Sequence, residues 1–204
     1  MEHITNAITI RGTLCELPKL SHENHGKRFY RFYLDVPRLS GAIDTLPVIG
    51  EENVLNQIDL SAGEMLTVTG QVRSHNQRTD GIRHLLIFVF ATSVVAEDGE
   101  PINEVTVEGP LCREPTYRLT PLGREICDAM VAVVRPFHRA DYLPCILWGR
   151  IAKMVSECHT RDVISIQGRL QSRIYTKMKD DGLQERTAYE ISALTAEIVE
   201  ENMY

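Results

Sequence analysis

Apolar and polar positions alternate along much of the chain, the pattern of strands that bury one face. In the second half, Val105, Val107 and Leu111 alternate with polar neighbours, and Thr120-Pro121-Leu122-Gly123 follows as a turn signal. Glu125 to Val134 reads as a second strand ending in continuous apolar residues, and Tyr142 to Trp148 as a third. Ile151, Val155 and Cys158 then recur at helical spacing, over a stretch short enough for one plug helix. Ile164, Ile166 and Leu170 form a fourth strand with Gly168 inside it, where a glycine marks a bulge or a barrel corner. Lys179-Asp180-Asp181-Gly182 is a hairpin tip, and Thr187 to Ile198 returns as the last strand.

The same pattern occurs twice. Asn6-x-Ile8-Thr9-Ile10-x-Gly12-x-Leu14-Cys15-x-x-Pro18 aligns with Asn103-x-Val105-Thr106-Val107-x-Gly109-x-Leu111-Cys112-x-x-Pro115. That register pairs Gly26 with Gly123, Arg38 with Arg135, and Asp44-x-Leu46-Pro47 with Asp141-x-Leu143-Pro144. One residue further on, Leu66-x-Val68-x-Gly70-x-Val72-x-Ser74 matches Ile164-x-Ile166-x-Gly168-x-Leu170-x-Ser172. A period this long in 204 residues means two copies of one domain. We expect an N-terminal domain over 1–98 and a C-terminal one over 99–204. Five strands with a helix between the third and fourth is the order of an oligonucleotide/oligosaccharide-binding (OB) barrel, although pattern alone leaves SH3-like barrels open.

Composition excludes little: 43% hydrophobic and 25% charged residues are ordinary for a folded soluble chain. The longest apolar run, Leu85 to Ala91, has seven residues, far below the ~20 of a membrane span. Met1-Glu2-His3 lacks the basic and apolar regions of a secretion signal, so a cytoplasmic location is expected. The five cysteines contain no C-x-x-C pair, and Cys15 and Cys112 read as small buried side chains. The net charge of −6 argues against a nucleic-acid partner until its distribution is examined. Between Pro110 and Lys179 stand twelve Lys or Arg and six Asp or Glu, so the remainder of the chain is strongly acidic. A local basic patch is what phosphate contact requires.

Four motifs of the second copy resemble the bacterial single-stranded DNA-binding protein family. They are Asn103-x-Val-x-Val-x-Gly-x-Leu-x-x-Glu-Pro, Arg118-x-Thr-x-x-Gly123, Pro144-Cys-x-x-Trp-Gly-Arg150 and Gly168-Arg-Leu-Gln-Ser-Arg173. The first copy resembles it more weakly, through Asn6 to Pro18 and Leu60 to Gly70. The resemblance implies an all-β fold with short helices: two tandem OB-fold, five-stranded Greek-key barrels. It is similar to the tandem form of the family, which implies a homodimer presenting four barrels, with single-stranded DNA as partner in replication, recombination or repair. Family members commonly end in an acidic tail with a Pro-Phe tip. This chain stops at Glu200-Glu-Asn-Met-Tyr204, so recruitment of partners by such a tail is not expected.

Unpaired bases expose flat π faces, and a sequence-tolerant binder needs aromatic platforms beside cations. Phe137, Tyr142, Trp148 and Tyr175 supply rings in the second copy. The resemblance places all four at or near base-stacking positions. Tyr142 and Trp148 leave the same face of their strand, opposite Leu143 and Leu147, although Ile146 shares that face. Burial of Trp148 against the helix is the alternative. Candidate cations are Arg118, Arg124, Arg135, Arg139, Arg150, Lys153, Arg169, Arg173 and Lys177, with Arg113 beside them. Arg169 and Arg173 share parity with Tyr175. In the repeat register, Ser40, Thr45, about Gly50 and Gln77 take the four ring positions in the first copy, so that copy is expected to have lost most nucleotide contact.

No phosphate loop, dinucleotide fingerprint, nucleophile elbow or H-E-x-x-H occurs, so no enzyme activity and no cofactor are expected. His22 and His25 bracket a turn and are read as solvated, not as metal ligands. Two alternatives stay open: an OB-fold protein-interaction module with little DNA binding, and a single-stranded RNA binder.

Overall fold

The computed structural model of the chain describes residues 5–79, 81–137, 139–179 and 182–199. Its first half contains β1 (Asn6–Leu14), β2 (Lys19–Asn24), β3 (Lys27–Pro37), β4 (Ile43–Glu51), α1 (Glu52–Leu55), β5 (Met65–Thr79) and β6 (Ile82–Ala96). The second contains β7 (Ile102–Pro110), β8 (Thr116–Leu119), β9 (Glu125–Arg135), β10 (Arg139–Trp148), α2 (Gly149–Val155), β11 (Val163–Lys179) and β12 (Gly182–Val199). Hydrogen bonding runs in the order β2-β3-β4-β6-β5-β1-β7-β11-β12-β10-β9-β8. Each strand left of the centre has its counterpart, six numbers higher, at the mirror position on the right. The sequence repeat is therefore a repeat of topology.

Each half closes on itself. β1 meets β3 at Thr13↔Asp35 and Leu14↔Leu34, and Leu111 bridges to Val131 in the second half. The parallel pairs β4–β6 and β10–β12 occupy equivalent places. These are two tandem OB-fold barrels, with α1 and α2 inserted between the fourth and fifth strand of each half. Alternation does the folding: β1 and β7 send Ile8, Ile10, Leu14, Val105 and Val107 inward, each almost wholly buried. Each such side chain contributes roughly 1.5–3 kcal/mol.

Two strands were not foreseen. β2 and β8 are short and exposed along almost all of their length, so no apolar alternation announces them. His22 accordingly lies in β2 and stacks on Phe29, whereas the turn is at His25-Gly26, both with positive φ. Cys15 is a correction: it is exposed, and Cys112 is half-buried, because β1 ends at Leu14 and the chain leaves the barrel there. Asp180, Asp181 and the terminal Glu200–Tyr204 stretch lie outside the described residues.

Gly168 fulfils its expected role. The β11–β12 register shifts between Gln167 and Gly168, and a Cβ at Gly168 would collide with the Ser192 backbone carbonyl. Gly70 repeats the arrangement in β5 against Phe90. Gly168→Ala is expected to destabilise the protein by about 1–3 kcal/mol, measured as a lower urea midpoint at unchanged slope.

The barrels are joined by a backbone ladder and by side-chain hydrogen bonds. β1 and β7 pair antiparallel over six residues, from Asn6↔Val107 to Arg11↔Ile102. Where β1 and β7 leave their own barrels, an amide side chain substitutes for the lost ladder: Asn6 exchanges two hydrogen bonds with the Val72 backbone, and Asn103 two with Leu170. Finally, two carboxylates with no solvent exposure cross the junction. Asp44 of β4 accepts from the Ser172 backbone N–H at 2.7 Å and its hydroxyl at 2.8 Å, and from both arms of Arg38. Asp141 of β10 accepts from the Ser74 N–H at 2.7 Å and lies 3.0 Å from Arg135.

Candidate nucleic-acid interface

β10 carries two of the four candidate rings because its inward residues Leu143, Cys145 and Leu147 fill the core, leaving Tyr142 and Trp148 outward. Tyr142 is 44% and Trp148 37% exposed, which excludes burial of Trp148 against the helix. Its indole N–H donates to the Ser192 hydroxyl at 3.3 Å, which orients the ring without covering it. Gly149, at φ +57, bends the chain immediately after the ring into α2. Ile146 is buried despite sharing the parity of Trp148.

Phe137 stands at the loop between β9 and β10, 91% exposed and at φ +63. A bulky residue in the left-handed region is unusual, and such strain clusters at functional positions. Tyr175 lies on β11 and is partly exposed, with the Arg173 guanidinium 5.7 Å from its ring centre. Arg173 also reaches Glu190, a nearly buried carboxylate that accepts from Gln171 and that the sequence reading missed.

The cations divide. Arg113, Arg118 and Arg173 line one cleft of about 380 Å³ with Asp128 and Glu190; there Arg118 holds Asp128 through two contacts of 2.6 and 3.2 Å. Arg139 is exposed on the edge of a larger groove that Arg135 and Arg173 also line. Arg135 is committed to Asp141, so its guanidinium belongs first to the barrel junction. Arg169 is half-buried, and its Nε has no partner among the described residues. Arg124 lies exposed in the β8–β9 turn, and Arg150 and Lys153 are exposed on α2. The Lys177 side chain falls outside the described residues.

In the first barrel, Glu51 precedes α1 as Trp148 precedes α2, so the structural counterpart of Trp148 is an acid one position after Gly50. Thr45 is exposed and donates to Asp35 at 2.6 Å. Another part of that barrel was missed. Phe29, Arg31 and Tyr33 leave β3 on the outward face, around the buried Phe32 and Leu34. Strand parity alone would have found them.

A family model described as the single-strand binding protein family matches residues 102–199, the half that carries the four rings. The single-stranded DNA-binding protein B of Bacillus subtilis is 31% identical over 80 residues, covering 36% of this chain and 71% of that protein. The chain belongs to the single-strand binding protein family. A single-stranded DNA-binding protein of Oceanobacillus iheyensis is 30% identical over 95 residues, 43% of this chain and 56% of its own. The chain spans about half the length of several curated family members that it matches. The family fold extends through both barrels. The crystal structure of the wild-type single-stranded DNA binding protein from Thermus aquaticus superposes with a TM-score of 0.80, covering 98% of this chain and 95% of that one at 21% identity. No helix among the described residues is long and apolar enough to cross a membrane.

Proposed function

We propose that the second barrel binds single-stranded DNA without enzymatic chemistry and with little sequence preference. The observation that carries this reading is the set of four solvent-reachable rings on one barrel, with Phe137, Tyr142 and Trp148 set around β10 and Tyr175 beside Arg173. Stacking supplies ~1–3 kcal/mol per base for every base alike, and arginine adds phosphate contact and cation–π contact. The reading places the protein on strands opened in replication, recombination or repair, in the cytoplasm, as a homodimer with four barrels. Light scattering showing a monomer at micromolar concentration would remove the dimer from it.

Phosphate neutralisation releases counterions, so log affinity should fall linearly with log salt concentration. Adding oligo(dT) should quench the fluorescence of Trp148, the only tryptophan of the chain, with a midpoint that moves to weaker binding as salt rises. An emission unchanged at saturating oligo(dT) and low salt would contradict stacking on that ring.

A further inference from the structure

We propose that the groove between the two barrels is a second nucleotide-binding site, in which Phe29 and Phe90 of the first barrel take a base and arginines of both barrels hold the adjoining phosphates. This rests on the reading of the second barrel as a single-stranded DNA binder and extends the strand's path beyond it. The groove measures about 940 Å³, at the upper end of ordinary ligand clefts, which run from roughly 300 to 1,000 Å³.

Three features of the groove fit a nucleotide. Its walls are aromatic: His22 stacks on Phe29 with ring centres 4.8 Å apart and planes at 8°, and Phe29 lies 6.2 Å from Phe90. A base replacing or extending the His22 stack would meet the same π face. Its charge is cationic: Arg31, Arg73, Arg135, Arg139 and Arg173 line it, against Glu190 as the only carboxylate among the described lining residues. Within an acidic chain, that concentration is a local anion site. Its arginine at the centre is set up for an anion. Arg73 lies 3.9 Å over the Phe90 ring and gives one hydrogen bond to Gln71, while its buried Nε has no partner among the described residues. Burial first, and then the neighbouring Arg135, push the Arg73 guanidinium below its ordinary pKa, with Asp141 opposing. An incoming phosphate relieves both.

Continuity favours a strand over a free nucleotide. Arg139 and Arg173 belong to the groove, and Arg173 also reaches the Tyr175 ring, so the two surfaces share a border. None of Phe29, Arg31, Arg73 and Phe90 corresponds to a ring position of the second barrel, and of the poorly matched positions Ser40, Thr45 and Gln77 only Gln77 lines the groove.

The test uses the full chain, fluorescein-labelled oligo(dT) of two lengths, and anisotropy at low salt. One oligomer of about 8 nucleotides fits a single barrel, and one of about 30 spans both. In the double variant Phe29→Ala/Arg31→Ala, affinity for the long oligomer should fall at least about fivefold, which is one lost stack. The short oligomer should bind as in wild type and still quench Trp148, which also shows that the second barrel remains folded. Independently, photocrosslinking of the wild-type protein to a long oligomer carrying 5-iododeoxyuridine should yield adducts at Phe29 or Phe90. Long-oligomer affinity within about twofold of wild type, together with crosslinks confined to the second barrel, overturns the groove site while leaving the second barrel's role intact. If wild-type protein binds neither length, both readings fall together.

Discussion

Replacing Trp148 and Tyr175 together by Ala is expected to weaken binding of single-stranded DNA by roughly 2–6 kcal/mol, about 30-fold to 20,000-fold. The range follows from two lost stacks. Both rings leave their strands outward, and neither fills the core, so their removal should not alter the fold. Anisotropy with oligo(dT) measures the loss, and urea unfolding of the same variant checks that stability is within about 0.5 kcal/mol of wild type. A dissociation constant that does not move would reject the platform. The Phe137→Ala variant should behave similarly with a smaller effect, roughly the 1–3 kcal/mol of one lost stack.

The second large effect concerns stability. Asp44→Ala is expected to cost about 3–5 kcal/mol, because it leaves the Arg38 guanidinium and both donors of Ser172 facing a buried void. Asp141→Ala should cost less. Arg135 approaches Asp141 by a single contact at 3.0 Å, and the Ser74 hydroxyl stands off at 3.4 Å where its counterpart reaches 2.8 Å. Acid should reproduce the first change. Burial raises the Asp44 carboxyl, but the Arg38 and Ser172 hydrogen bonds outweigh it and leave the pKa below the usual value. A carboxylate that titrates lower in the folded state contributes its full stabilisation above the unfolded value of about 3.9, and loses it as pH falls through the lower folded value. Asp44→Asn should therefore be less stable at neutral pH and show a flatter loss of stability below pH 4 or so. Urea midpoints across that window measure both.

The fold was largely legible in the chain. Alternation located β7, β9, β10, β11 and β12, and the repeat carried the same reading to the first half. Gly168 was marked as a bulge or a barrel corner because an interior glycine in a strand commonly serves one of these uses. β2 and β8 escaped because almost nothing in them is buried, and Cys15 because its strand ends one residue earlier than the repeat suggests. The candidate site was legible where a single strand decides which way a side chain faces. Tyr142 and Trp148 follow from parity along β10, and Arg173 beside Tyr175 follows from parity along β11. It was not legible where two barrels meet. Arg38 with Arg135, Asp44 with Asp141, and Ser74 with Ser172 are all visible as matched pairs, but each carboxylate takes its serine from the opposite copy. Nothing along one chain indicates that exchange, so Arg135 reads as a phosphate contact when its first partner is a buried acid. Of the aromatic run Phe29 to Tyr33 in β3 only Phe32 is wholly buried, and nothing along that strand indicates that its outward residues line a groove shared with the second barrel.

The β1–β7 ladder has an evolutionary consequence. An OB barrel with an open first strand presents six residues of unpaired backbone and would meet an identical copy there, which forces the two faces of the pair to mutate in step. Because one polypeptide supplies both members, each barrel meets its sibling and not its twin at this seam. Either sibling can then drift on its outward surface while the shared seam stays matched. One gene can so maintain two differently surfaced halves that always meet as unlike partners along this seam.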